Sequence, residues 1–307
     1  MDIVILLVGF SIGLVLLVKG ADEMVSSAVQ IALKFKLPSS IIGATFIGFG
    51  TSAPELFAST GAALKGDLDL GIGNIVGSNI ANSLLVVAVL YLALPKDFSQ
   101  KIKLNQISPV WMAILTTVFV STYVLTNEFP FLLGAVLLIL VIYVIYKMIS
   151  TESVDEGELL GEEKNYIWLR GGLSLLATLY GSQLVVDNAV AIAELFGVSS
   201  LIIGSTIIAI GTSLPEVAGT ISAAKMRKPD IVFGNIFGSN LFNIGLVGAT
   251  AIMISPGEIS SVIDYQLFIM YFVSFIVIFL SRNLIKRNSL LGYLFIVAYV
   301  LFLVSLF

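Results

Sequence analysis

The chain has 307 residues, 58% of them hydrophobic and 12% charged, with a net charge of −4 and a mean hydropathy of +1.04. That is too apolar for a soluble globular domain of this length, so the chain reads as an integral membrane protein. It has no cysteine and no histidine, which removes disulfides, thiolate metal sites, histidine ligands and histidine proton relays, and leaves oxygen as the only donor for metal chemistry.

Apolar runs long enough to cross a bilayer as helices, roughly 20 residues, begin near Asp2, Ser39, Leu70, Ser108, Phe129, Tyr166, Ser200, Asp230, Tyr265 and Leu290. The first lacks the basic start of a signal peptide and has an internal counterpart, so it is expected to remain in the mature protein. The second run carries GFGTSAPEL at 48–56 and the third GIGNIVGSNIAN at 71–82. After the fifth comes TESVDEGELLGEEKNY at 151–166, expected to be a solvated acidic linker. The seventh run carries AIGTSLPEV at 209–217 and the eighth VFGNIFGSNLFN at 232–243. The expected division is a first repeat over 1–150, a linker over 151–165 and a second repeat over 166–307.

Glu55 and Glu216 are 161 positions apart (216 − 55), and the same offset pairs Gly20 with Gly181, Gly43 with Gly204, Gly77 with Gly238 and Asn82 with Asn243. Five spans per repeat is an odd number, so the second copy enters the membrane upside down. With the N-terminus outside, 14 of the 16 basic residues fall in cytoplasmic loops; only Lys65 is on the other side and Lys19 inside a span. The positive-inside rule then predicts both termini outside. The expected fold is an all-α membrane protein of ten transmembrane helices, arranged as two inverted five-helix repeats with broken helices at the midplane.

Within each acidic motif, Pro54 or Pro215 lacks an N–H. Together with the glycines it favours a break that frees carbonyls such as those of Gly48, Thr51, Ala209 and Thr212. At helical spacing Thr51, Ser52 and Glu55 share a face, as do Thr212, Ser213 and Glu216. Ser78 and Asn82, and likewise Ser239 and Asn243, are four apart on the following span. Each copy thus offers a carboxylate, hydroxyls and an amide, hard oxygen donors suited to sodium or calcium. A charged residue at the bilayer centre costs about 2.5–3.5 kcal/mol on insertion scales, so two glutamates at equivalent positions read as functional. Single glycines, serines and threonines would read as packing or as hydroxyls bonded to their own helix. Asp22, Glu23, Asp187 and Glu194 are expected to be interfacial, and Glu258 and Asp264 solvated.

The doubled motifs GTSAPE with GNIVGSNIAN, and GTSLPE with GNIFGSNLFN, resemble the α-repeats of the cation/calcium exchanger superfamily, and most closely those of prokaryotic sodium/calcium exchangers. The resemblance covers essentially the whole chain. It implies adjoining sodium and calcium sites at the midplane, with Glu55 and Glu216 on calcium and bordering sodium. Thr51 and Thr212 would add carbonyls, Ser52, Ser213, Ser78 and Ser239 hydroxyls, and Gly48 and Ala209 carbonyls. Asn82 and Asn243 would complete the central layer. Some prokaryotic members carry an aspartate where Asn243 stands, so this central layer has two carboxylates and two amides.

The function expected is sodium/calcium antiport by alternating access in a prokaryotic cell membrane. The first spans of the two repeats, around 2–33 and 163–195, are the candidate moving elements. No enzyme activity, cofactor, nucleic acid or obligate protein partner is expected; the transported ions are calcium and sodium and the partner is the bilayer. Proton/calcium exchange is the alternative within the superfamily, although its members more often place asparagine where Thr51 and Thr212 stand. A cation channel would line a pore with the same oxygens.

Overall fold

The computed structural model describes residues 3–101, 107–151, 166–197, 209–282 and 284–306. The acidic segment and the start of the span expected from Ser200 lie outside the described residues, and no side chain is described for Ala209. Helix α1 (Ile3–Phe35) opens the chain and α9 (Ile167–Leu195) opens the second repeat. These two equivalent helices pack against each other. A Cβ on Gly13 would come within 2.9 Å of Val185 N, and one on Gly20 within 2.8 Å of Thr178 N, so the glycines let the two backbones approach closely.

The second span of the first repeat is broken. It runs through α2 (Ser39–Ile42), a π-helical turn π1 (Gly43–Ile47) and α3 (Gly48–Thr51), then bends by 44° into α4 (Ala53–Leu64). Next come α5 (Leu68–Ala81), π2 (Asn82–Val86) and α6 (Val87–Ala93). Helices α7 (Ile107–Thr126) and α8 (Phe131–Thr151) complete the repeat. In the second repeat the corresponding pieces are α10 (Ala209–Gly211), α11 (Leu214–Lys225), α12 (Pro229–Phe242), π3 (Asn243–Gly248) and α13 (Ala249–Ile254). They are followed by α14 (Asp264–Ser281) and α15 (Ser289–Val304).

Burial sorts the helices into layers. The windows within Leu68–Ala93 and Pro229–Ile254 are 78% and 83% buried, against 22% for α1 and for α9. The two motif-bearing spans therefore form the centre. Outer helices present large apolar side chains such as Leu125 and Phe268, as a bilayer-facing surface requires. The broken span of the first repeat lies along α12, backbone against backbone. A Cβ on Gly238 would collide with the main chain of Ala44, and one on Gly234 with that of Ser40. This contact brings Gly48 and Thr51 to Ser239.

Two short antiparallel pairings tie the repeats together outside the helices. Strand β1 (Ser99–Lys101) pairs with β4 (Leu284–Lys286), Gln100 opposite Ile285, and β2 (Glu128–Phe129) pairs with β3 (Gly257–Glu258). Arg227 reaches Asp97 at 2.6 Å on the same side as the first pairing, and its guanidinium holds that carboxyl below the usual aspartate range. Asp69 accepts from Ser260 N at 2.7 Å beside the second. Each pairing joins loops that the charge distribution assigns to one face of the membrane.

Among the described residues seven helices are long and apolar enough to cross a membrane, or eight when the bent pair counts as one span. Helix α15, with 16 residues, is shorter than that criterion, and the span expected from Ser200 is described only from Ala209 onward. Among the described residues the ten expected spans are therefore not all accounted for.

Candidate functional site

Each acidic motif breaks its helix at the serine. Ser52 has φ −83°, ψ 0° and Ser213 φ −93°, ψ 3°, and a proline follows within the first two positions of the next helix. Glu55 and Glu216 therefore fall in the first turns of α4 and α11, where backbone N–H groups lack helical acceptors and the helix dipole favours negative charge. The spacing S-x-x-E is also that of a capping box. Neither serine makes a side-chain cap bond. The polar groups are directed elsewhere.

Glu55 and Glu216 are only 3% and 2% exposed, and lie close enough for their charges to interact. Ser78 on α5 donates to Glu55 Oε1 at 3.4 Å. Thr51 sits at the Glu216 carboxylate, and its hydroxyl is 3.4 Å from that of Ser239 on α12. Ser239 in turn donates to the Gly48 carbonyl at 3.3 Å and is 3.4 Å from Asn235 Oδ1. The two repeats thus meet side chain to side chain at their motifs. Of the nine buried side-chain oxygens without a hydrogen-bond partner among the described residues, four belong to the motifs: Ser52 Oγ, Glu55 Oε2, Glu216 Oε2 and Asn243 Oδ1. Buried oxygens without donors are costly, and buried carboxylates more so. Two carboxylates, a hydroxyl and an amide carbonyl suit a hard cation, with the two formal negative charges matching one divalent ion.

The carbonyls divide differently from the expectation. Gly48 O keeps its helical partner, accepting from Ser52 N at 3.1 Å, because the chain stays helical through Thr51 and breaks one residue later. Across that break, no backbone N–H among the described residues donates to Thr51 O. Ser213 N bonds Ile210 O at 3.1 Å, the tighter turn that the second break adopts. Ala209 begins α10, Ser213 is buried, and Thr212 faces a cavity.

Asn82 and Asn243 each start a π-helical turn and are buried. Their amides are held by two residues that the spacing argument passed over. Asn82 Nδ2 donates to Asn240 Oδ1 at 3.1 Å, and Asn243 Nδ2 donates to Asn79 Oδ1 at 3.0 Å. Asn79 and Asn240 are themselves repeat counterparts within GSN, which is the signal that could have found them.

A cavity of about 400 Å³ opens beside the site on the face where α9 ends. Pro54, Thr212 and Pro215 form its floor, and Ser182, Asp187 and Glu194 of α9 its wall. Of the acidic residues expected at the interface, Glu23 is paired with Arg170 at 2.6 Å, whereas Asp187 accepts from Gln183 at 2.7 Å and lines this cavity.

Comparison with known proteins bears on this geometry. The profile of the sodium/calcium exchanger protein family matches residues 5–151 and 166–307. The sodium/calcium exchanger MaX1 of Methanosarcina acetivorans is 32% identical over 344 residues, covering 96% of this chain and 97% of the relative. The inner membrane protein YrbG of Escherichia coli K12 is 31% identical, covering 89% of this chain and 88% of the relative. Among solved structures, the sodium-calcium exchanger NCX_Mj soaked with zero Na+ and Ca2+ superposes with a TM-score of 0.84 at 28% identity, covering 100% of both chains. The same protein soaked with 10 mM Na+ and 10 mM Sr2+ gives 0.83, so the likeness of fold is the same for either soak.

Proposed function

The chain belongs to the sodium/calcium exchanger family, and from that premise we propose that this cation/calcium antiporter couples calcium to sodium through one site shared by its two repeats. The observation that carries the proposal is the four unpartnered buried oxygens of the motifs, with Glu55 and Glu216 contributed by opposite repeats at matched helix breaks. Calcium is bound by Glu55 and Glu216, with Asn82, Asn243 and the Thr51 and Thr212 carbonyls around it. Sodium uses the same carboxylates with Ser52, Ser78, Ser213 and Ser239 and the carbonyls at Gly48 and Ala209. Two ionised glutamates neutralise one calcium, whereas three sodium ions leave the site at +1. One net charge then crosses per cycle, and each 100 mV of membrane potential contributes about 2.3 kcal/mol. Inward sodium movement extrudes calcium, and the exchange is electrogenic.

Alternating access follows from applying the 161-residue offset to the cavity. Its wall of Ser182, Gln183, Val186, Asp187 and Ala191 on α9 maps to Ala21, Asp22, Val25, Ser26 and Gln30 on α1. Val25 is fully buried, and Gln30 Oε1 is buried without a partner. Those positions form the opposite vestibule when α1 and α9 shift against the core, in a ten-span chain with both termini outside. Thr51 and Thr212 favour sodium over proton as the counter-ion.

Calcium-45 uptake into sodium-loaded proteoliposomes diluted into sodium-free buffer tests the reading. Uptake that needs the sodium gradient and disappears in Glu55→Gln and Glu216→Gln is expected. Equal uptake driven by a pH gradient alone would transfer the protein to proton coupling, and flux without any counter-ion would make it a channel.

A further inference from the structure

We propose that Asn79 and Asn240, which are outside the expected ligand set, are positioning residues that decide which face of the Asn243 and Asn82 amides is turned to the ion. The inference rests on the site proposed above. An asparagine side chain presents a carbonyl oxygen on one side and an NH2 group on the other, and only the oxygen can bind a cation. Each amide in the central layer has its NH2 group taken by an asparagine of the opposite repeat: Asn243 by Asn79 Oδ1 at 3.0 Å, and Asn82 by Asn240 Oδ1 at 3.1 Å. The consequence is visible at Asn243, whose Oδ1 is buried with no partner while its Nδ2 is occupied.

The next group along decides the orientation of each clamp, and here the halves differ. Asn79 Nδ2 faces the thioether of Met270 at 3.6 Å, a group that can accept weakly and cannot donate. Asn79 therefore has one favourable orientation, with its oxygen toward Asn243, and the chain Met270–Asn79–Asn243 turns a carbonyl to the site. Asn240 Nδ2 donates to Ser83 Oγ at 3.2 Å, and a hydroxyl can equally donate. The Asn82–Asn240 pair can thus reverse as a unit, presenting either oxygen or NH2. Ser83 has Ile244 as its repeat counterpart, so this freedom exists on one side only. The structure assigns Asn243 as the fixed amide ligand and Asn82 as the switchable one.

A double-substitution test in reconstituted protein separates positioning from packing. Asn79→Leu leaves the Asn243 NH2 without its acceptor, and its calcium KM should rise about 3- to 10-fold, the range one lost hydrogen bond supports, with Vmax within about twofold. In an Asn243→Asp background both side-chain tips are oxygens and no orientation has to be set, so there Asn79→Leu should change KM less than about 1.5-fold. Equal rises in both backgrounds, or no rise in the parent, would overturn the proposal. Asn79→Ala carries the same test if the leucine variant does not fold, and Asn240→Leu with Asn82→Asp repeats it on the other pair. If Asn243→Leu itself leaves calcium KM and Vmax unchanged, the failure lies in assigning residue 243 to the site.

Discussion

The two repeats fold their motifs alike and surround them differently. Helices α4 and α11 start at 53 and 214 and end at 64 and 225; α5 and α12 start at 68 and 229 and end at 81 and 242; every boundary obeys the same offset. The breaks at Ser52 and Ser213 differ by only a few degrees in ψ. The helices flanking them have diverged. Asp187 and Glu194 line the cavity on α9, and their counterparts on α1 are Ser26 and Leu33. Ion ligation demands that both halves converge on one centre, which holds the motifs together. Access from the two faces serves different solutions, and the flanking helices are free to differ.

The largest effect should come from the most symmetric residues. Glu55→Gln and Glu216→Gln should each lower sodium-dependent calcium uptake by about 100-fold or more, since losing a charged ligand costs about 3 kcal/mol and each 1.4 kcal/mol is tenfold. Unequal losses would break the symmetry of the account. Gly238→Ala should come next, destabilising the solubilised protein by about 1–3 kcal/mol through collision with the Ala44 backbone, read as a lowered Tm. Its counterpart Gly77→Ala sharpens the comparison. Among the described residues an added Cβ at Gly77 meets nothing within 4 Å, so Gly77→Ala should leave the Tm nearly unchanged, and a loss as large as that of Gly238→Ala would contradict this difference between the repeats.

Neutralising the cavity wall tests the asymmetric part. Asp187→Asn with Glu194→Gln should raise calcium KM about 2- to 5-fold at low ionic strength and much less in high choline chloride, because surface charges steer cations and salt screens them. The smallest effect belongs to the exposed Arg227–Asp97 pair. Arg227 depresses the Asp97 pKa, so its contribution to stability is present above the ordinary aspartate pKa and is lost as pH falls through the lowered value. The Tm of Arg227→Ala should lie slightly below that of the parent at neutral pH and converge with it in acid.

The two helix breaks were legible in the sequence because proline, glycine and a doubled carboxylate leave marks that do not depend on tertiary contact. The π-helical turns at 82–86 and 243–248 were not, since NSLLV and NIGLVG carry no sign of an extra residue per turn. Helix spacing grouped Ser78 with Asn82 on one face and thereby set aside Asn79, which turns toward the other repeat. The Gly48 carbonyl was expected to lose its helical partner and keeps it, for a related reason. Proline marks that a break occurs nearby but not the residue at which the chain leaves the helix, which here is Ser52.

The central claim is that two repeats build one calcium site. Calorimetric titration of the purified protein with calcium in sodium-free buffer tests it most directly, alongside Glu55→Gln and Glu216→Gln. The account predicts calcium competing with added sodium at a shared site, with calcium binding lost in either variant. Two independent calcium sites, with each variant losing one and keeping the other, would contradict it.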